Sequence, residues 1–397
     1  MFVITSVYFL IVFLIFWGYA GYIILLFIFH TLIPKEDEEK SEPIPIRKPK
    51  IAIIVPCFNE ESFIDQKADS LKELIYDQDK LDVFFLHGLS SDSTSMKISK
   101  FISDMPNWHL IETGCKGKIN QINYGLSKLR DVDIIVNTDA DVILSPDILI
   151  KFVNEFNSDN RVAVVGANIS PGDCLPIEED YWRDQNLLRI IESKVYTSSI
   201  VVAPCYAYRA FLIDKFPEDC IADDIFIAFK ANTEGYFTRY LRTATGTELR
   251  IPNTFSDFFR HKFRKGNAYL VEIFRYLYRL PYMSGWWKVI YLTKVLQLAV
   301  IPWVLPYFVL STISLALSGR GFFQVALFGL VFLLSSIALT SFLMKKARLK
   351  YLARRTPKIR STFLLFTISN LILILVGLTY PFYKQSSNYP KMGRTRC

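Results

Sequence analysis

The chain of 397 residues is poor in cysteine, and its six cysteines never stand in the C-x-x-C spacing of a zinc site or redox pair. Five of them, Cys57, Cys115, Cys174, Cys205 and Cys220, fall in a central region read below as cytoplasmic and reducing, which excludes a disulfide framework. Charge is absent from residues 1–29, which contain no Asp, Glu, Lys, Arg or His. A run of roughly 20 apolar residues crosses a bilayer as a helix. This run also lacks the basic start and the small-residue cleavage site of a secretory signal, so it reads as a retained anchor.

Three more apolar segments lie at about 296–318, 322–344 and 361–383. They contain no Asp, Glu, Lys or Arg of the kind that marks an ion or substrate path, which argues against a transporter. Between the last two sits "KKARLKYLARRTPKIR", with eight basic and no acidic residues, the composition of a cytoplasmic loop. Counting spans from that loop puts the hydrophilic centre in the cytoplasm and both termini outside. The four basic residues from Lys384 onward point weakly the other way. The net charge of +8 calls for no nucleic acid, because the basic loop supplies that excess beside anionic lipid headgroups. The chain therefore divides into an anchor (1–32), a charged linker (33–48), a hydrophilic domain (49–258), a basic aromatic stretch with interfacial helices (259–295), three membrane helices (296–383) and a tail (384–397).

Within the hydrophilic domain, "IAIIVPCFNE", "ESFIDQKADSLKELIYD", "LDVFFLHG", "INQINYGLSKLR" and "VDIIVNTDAD" alternate strand and helix patterns. That alternation predicts an α/β fold around a mostly parallel sheet, whose ligands gather at the carboxyl ends of the strands. Asp139 and Asp141 stand at such an end, directly after a buried apolar run. Paired carboxylates there are costly to desolvate unless a cation joins them, and hard oxygen ligands suit Mg²⁺ or Mn²⁺ carrying a substrate phosphate. An Asp-x-Asp triplet alone is a weak signal. Asp77/Asp79 and Asp131/Asp133 have the same spacing and read as a helix-end turn and a loop.

The blocks "IVPCFNEE", "CKGKINQINYGL", "NTDAD", "EEDYWRDQNLLRIIES", "YAYR" and "ADDIFIAFKANTEGY" occur in one order and spacing. In this the chain resembles the membrane-bound family-2 glycosyltransferases, a group that includes cellulose, chitin, hyaluronan and poly-N-acetylglucosamine synthases. The resemblance covers roughly residues 48–270 and implies a GT-A (Rossmann-like) domain. It also implies a metal-dependent, inverting transfer from a nucleotide sugar, UDP-linked for choice, to a polysaccharide or lipid-linked acceptor in the membrane. Carried over by motif, Pro56, Phe58, Glu60, Lys118 and Asp139 bind the donor. Asp139 and Asp141 hold Mn²⁺ or Mg²⁺, Asp141 more directly, and Asp224 is the general base with Asp223 as runner-up.

Two departures stand out. Gly88 replaces the acid that commonly ends the second strand in the family, leaving His87 or Asp92 as substitutes for a nucleoside contact. "FRHKFRKG" replaces the family's Q-x-x-R-W, so Arg260, Lys262, Phe263 and Lys265 are assigned to the acceptor and diphosphate side. A lysine cannot repeat the bidentate fork of an arginine. These departures keep a second reading open, a catalytically silent subunit that binds or scaffolds a glycan assembly. The intact Asp139, Asp141 and Asp224 favour the enzyme.

Overall fold

The structure, a computed structural model, describes residues 2–32, 48–352 and 359–383; most of the expected linker, part of the basic loop and the tail lie outside the described residues. The chain forms two compact units, one of residues 1–34 with 259–384 and one built on residues 35–258.

The first unit opens with α1 (Phe2–Phe16) and α2 (Tyr22–Leu32), joined through a π-helical turn at Trp17–Gly21. The second unit follows, with β1 (Ile51–Cys57), α3 (Ile64–Lys72), β2 (Leu81–His87), α4 (Thr94–Ile102), β3 (Trp108–Glu112), α5 (Lys118–Leu126) and β4 (Ile134–Thr138). It continues through β5 (Val142–Leu144), α6 (Ile148–Ser158), β6 (Val162–Pro171), α7 (Pro176–Val195), β7 (Cys205–Arg209), α8 (Asp223–Thr233) and β8 (Phe237–Glu248). The two units divide within α9 (Phe255–Leu277), after which come α10 (Gly285–Val295), α11 (Ile301–Leu317), α12 (Arg320–Leu352) and α13 (Ile359–Tyr383).

The eight strands form one sheet in the order β3-β2-β1-β4-β7-β6-β8-β5. The first four are parallel, as the strand-helix alternation predicts. From β4 onward the sheet is mixed, because β7 runs antiparallel to both β4 and β6, and β5 antiparallel to β8. Ile51, Ile53 and Val55 of β1 are fully buried, as are Val136 of β4 and Phe152 of α6. Burial of such side chains contributes about 1.5–3 kcal/mol each, which is why these near-continuous apolar runs become interior strands.

In the helical unit, Val3–Leu32, Gly285–Leu317 and Arg320–Arg348 are long and apolar enough to cross a membrane. The second of these begins earlier than the sequence pattern suggests, because α10 runs into α11 through a π-helical turn at Leu296–Val300. The fourth expected segment lies in α13, whose apolar stretch Phe366–Phe382 is shorter than the other three. Tyr307, Leu310 and Phe328 expose more than 60% of their surface, an arrangement suited to an apolar solvent. Polar contacts inside this unit link distant helices: Tyr19 donates to Asn370 at 2.7 Å, and the Gln297 amide donates to the Gly18 carbonyl at 2.5 Å.

Candidate active site

At the carboxyl end of β4, Asp139, Ala140 and Asp141 form the turn into β5. Ala140 is 3% exposed and belongs to the core, while the side chains of Asp139 and Asp141 are 30% and 11% exposed. Asp141 is nearly as enclosed as Ala140, and Asp139 is the more open acid of the turn. Its backbone is pinned on both sides, Asp139 N–H donating to Pro204 O at 3.1 Å and Leu249 N–H to Asp141 O at 2.8 Å. From beneath, the fully buried Lys67 of α3 donates to Thr138 Oγ1 and to Val142 O, both at 2.8 Å. Burial lowers the Lys67 ammonium to about 8, and the charges of Asp139 and Asp141 work against a deeper fall.

Lys118, the first residue of α5, lies between two acids, with Nζ 2.9 Å from Asp139 and 3.2 Å from Asp223. Burial alone would lower this lysine. Asp139, Asp223 and Asp224 outweigh it and hold the ammonium above its ordinary value. Asp223 and Asp224 open α8, where the helix dipole favours acids. They are used differently. Asp223 is 3% exposed in its side chain and accepts from Tyr206 Oη at 2.7 Å and Asn137 Nδ2 at 2.9 Å besides pairing with Lys118. Burial, with the neighbouring Asp223 charge, raises Tyr206 well above its usual range, so the phenol stays a donor. Asp224 is half-buried and accepts the Ala203 N–H at 3.1 Å.

Glu60 follows β1 and is 6% exposed. Its carboxylate takes both terminal nitrogens of Arg250, one at 3.3 Å, and Arg250 Nε lies 3.5 Å from Asp141. The guanidinium also stacks 4.8 Å above the Phe63 ring. Burial pushes the Asp141 carboxyl up to about 6, Asp139 and Glu60 adding to the rise and Arg250 opposing it. Five carboxylates (Glu60, Asp139, Asp141, Asp223, Asp224) thus share this region with three cations (Lys67, Lys118, Arg250). Among the described residues no group of three or more His, Cys, Asp or Glu is placed to hold a metal ion, so the hard oxygens of Asp139 and Asp141 fit one divalent ion that also carries phosphate oxygens.

Pro56 stands next to last in β1 opposite Leu86, and Phe58, just beyond the strand, is 38% exposed. The structure explains the missing acid at position 88. A Cβ on Gly88 would lie 1.9 Å from Gln121 Nε2 and 2.7 Å from the Cys115 carbonyl oxygen, so the space is already filled by Gln121, itself 2% exposed. His87 turns to Glu112, with Nδ1 2.6 Å from the carboxylate, and Asp92 caps its own loop through Thr94. The other two Asp-x-Asp triplets serve local structure: Asp77 pairs with exposed Lys48 at 2.7 Å, and Asp133 accepts the Lys50 N–H at 2.8 Å.

The structure therefore brings Glu60, Lys118, Asp139, Asp141, Asp223 and Asp224 together. Arg260, Lys262, Phe263 and Lys265 stand on α9 in the helical unit, where Phe263 packs against the cluster of Leu270, Ile372 and Val376. Sequence reasoning missed Arg250, Lys67, Tyr206 and Asn137. Lys67 left a trace, a lysine among Ile64, Ala68 and Leu71 on the apolar face of α3. Arg250 left none, because 109 residues separate it from Asp141 and they meet through the β5–β8 pairing and the backbone bond that extends it.

Residues 52–216 match the profile of glycosyl transferase family 2. A "Probable glycosyltransferase YdaM" of Bacillus subtilis (strain 168) is 24% identical over 61% of this chain and 60% of its own length. An "N-acetylglucosaminyltransferase" of Bradyrhizobium diazoefficiens is 23% identical over 60% of this chain and 52% of its own length. The chain thus spans between half and two thirds of these relatives. Among solved structures, the mannosyltransferase PcManGT from Pyrobaculum calidifontis, in complex with GDP-Man and Mn²⁺, superposes with a TM-score of 0.65 at 23% identity, covering 96% of this chain and 97% of that one. The fold is GT-A.

Proposed function

We propose that this glycosyltransferase, built on a family-2 domain at residues 52–216, moves a sugar from a nucleotide donor to a polysaccharide or lipid-linked acceptor in one inverting displacement. The observation that carries the reading is Lys118 held between Asp139 and Asp223 at the strand ends, beside Asp141 with its raised carboxyl. Fixed positive charge there meets the diphosphate as it departs. Asp224, half-buried at the start of α8 and more open than Asp223, is suited to take the proton of the acceptor hydroxyl as that oxygen attacks the anomeric carbon. Asp223 acts through Lys118 and Tyr206 as a positioning residue.

Asp139 and Asp141 would hold Mn²⁺ or Mg²⁺. When bound, such an ion neutralises charge on the leaving diphosphate. Pro56, Phe58 and Glu60 border the proposed nucleotide side. Arg260, Lys262, Phe263 and Lys265 are assigned to acceptor and diphosphate handling by the resemblance of their motif. The three apolar helices support an integral membrane protein, and Lys345, Lys346 and Arg348 at the end of the third support a cytoplasmic catalytic domain.

The test is nucleoside diphosphate release by purified protein in lipid, across UDP- and GDP-sugars with Mn²⁺ or Mg²⁺, beside Asp224→Asn. Metal-dependent turnover of one donor, lost in the variant, supports the reading and names the sugar. Metal-dependent donor binding with no turnover on any acceptor supports the silent subunit instead.

A further inference from the structure

Arg250 has no role in the reaction described above, yet it is the cation nearest to Asp141. Its place is fixed by backbone contacts on both sides: Gly172 N–H donates to Glu248 O and Leu249 N–H to Asp141 O, both at 2.8 Å. The side chain extends across the acids. Both terminal nitrogens go to Glu60, the ring of Phe63 lies below, and Nε is left facing Asp141 at 3.5 Å. That last contact is an ion pair longer than a good hydrogen bond. Asp141 thus has a positive charge at its carboxylate without a firm bond to it. Glu60 is the anchor and Asp141 the loosely held partner.

We propose that Arg250 is the resident counter-ion of this carboxylate cluster and competes with a divalent ion for Asp141. The inference rests on reading Asp139 and Asp141 as metal ligands. In the metal-free protein Arg250 offsets the repulsion among Glu60, Asp139 and Asp141. An ion on Asp141 would feel the guanidinium as a like charge a few ångströms away in a poorly solvated site, where such interactions are strong. Loading then requires Arg250 to withdraw from Asp141 while keeping Glu60. An anionic diphosphate offers the guanidinium another partner, so metal and donor favour each other's binding, and the coupling is reciprocal.

The experiment is Mn²⁺ titration of the nucleotide-free, full-length protein in lipid, read by loss of the free-ion EPR signal, for the parent, Arg250→Gln and Arg250→Lys. Removing the charge is expected to tighten Mn²⁺ binding about tenfold, while the lysine variant, which keeps a point charge, stays near the parent. If the glutamine variant does not fold, Arg250→Leu, which retains apolar packing on Phe63, takes its place with the same expectation. Parent binding with neutral variants no tighter overturns the competition and leaves the metal site standing. Absence of Mn²⁺ binding in every form overturns the metal site and the competition together.

Discussion

The ammonium of Lys67 donates to Thr138 Oγ1 at 2.8 Å across 71 residues of sequence, and the same nitrogen reaches Val142 O on the far side of the acidic turn. One buried cation therefore holds both ends of the segment that carries Asp139 and Asp141. Its ordinary value of 10.5 falls to about 8 in the folded protein, chiefly through burial. Below pH 8 both folded and unfolded lysines are charged, and the full cost of burying the charge is present. Between about 8 and 10.5 the folded lysine has lost its proton while the unfolded one keeps it, so stability rises with pH. Lys67→Met lacks this rise. Thermal melts at pH 7 and pH 9.5 should show the parent gaining about 2 kcal/mol relative to the methionine variant; parallel melts at the two pH values would refute the assignment.

Asp141 gives a pH dependence of opposite kind. Its carboxyl is raised from 3.8 to about 6, mainly by burial and then by Asp139. In the metal-free protein, stability is fully present below about pH 4 and falls as pH rises through 6, because the folded state holds its proton longer than the unfolded one. A metal reverses this by stabilising the ionised form. Mn²⁺ affinity is expected to drop steeply below pH 6. Asp141→Asn should abolish binding and yet stabilise the metal-free protein at pH 7 by about 2 kcal/mol. Calorimetric melts with and without Mn²⁺ check both halves.

Much of this was readable beforehand where chemistry follows local order. "IAIIVPCFNE" and "VDIIVNTDAD" became β1 and β4, and the acids at their ends met because parallel neighbours in a sheet bring their carboxyl ends to one edge. Lys118 and Asp223 were singled out by motif, and the structure joins them at 3.2 Å. What escaped was long-range and antiparallel. The strands β5 and β8 are paired over more than 100 residues, and that pairing, with the Leu249 N–H to Asp141 O bond beyond it, sets Arg250 beside Asp141. Tyr206 escaped for another reason. It stands in "YAYR" as an ordinary strand aromatic, and only the β4–β7 register, opposing Asn137 to Tyr206, turns its hydroxyl toward Asp223.

The two acids that open α8 should separate in kinetics. Asp224→Asn is expected to lower kcat by about 10²–10⁴-fold while donor affinity holds, as for loss of a general base. Asp223→Asn removes the charge that Lys118, Tyr206 and Asn137 surround, so its effect should fall on donor affinity and melting temperature as well as rate. Donor titration by calorimetry beside turnover distinguishes the two patterns. The reverse pattern would exchange the roles of base and positioning residue.

Position 88 allows the family's usual acid to be put back. Gly88→Asp alone should destabilise, because its Cβ meets the Gln121 amide at 1.9 Å and the Cys115 carbonyl at 2.7 Å. The amide end of a side chain can move, whereas the carbonyl belongs to the backbone and yields only if the 113–117 loop shifts. Overpacking of this kind typically costs about 1–3 kcal/mol. Gly88→Asp with Gln121→Ala removes the nearer obstacle and should recover part of the lost melting temperature, the remainder measuring the carbonyl contact. If the single variant melts like the parent, Gln121 is not what excludes an acid from the end of β2.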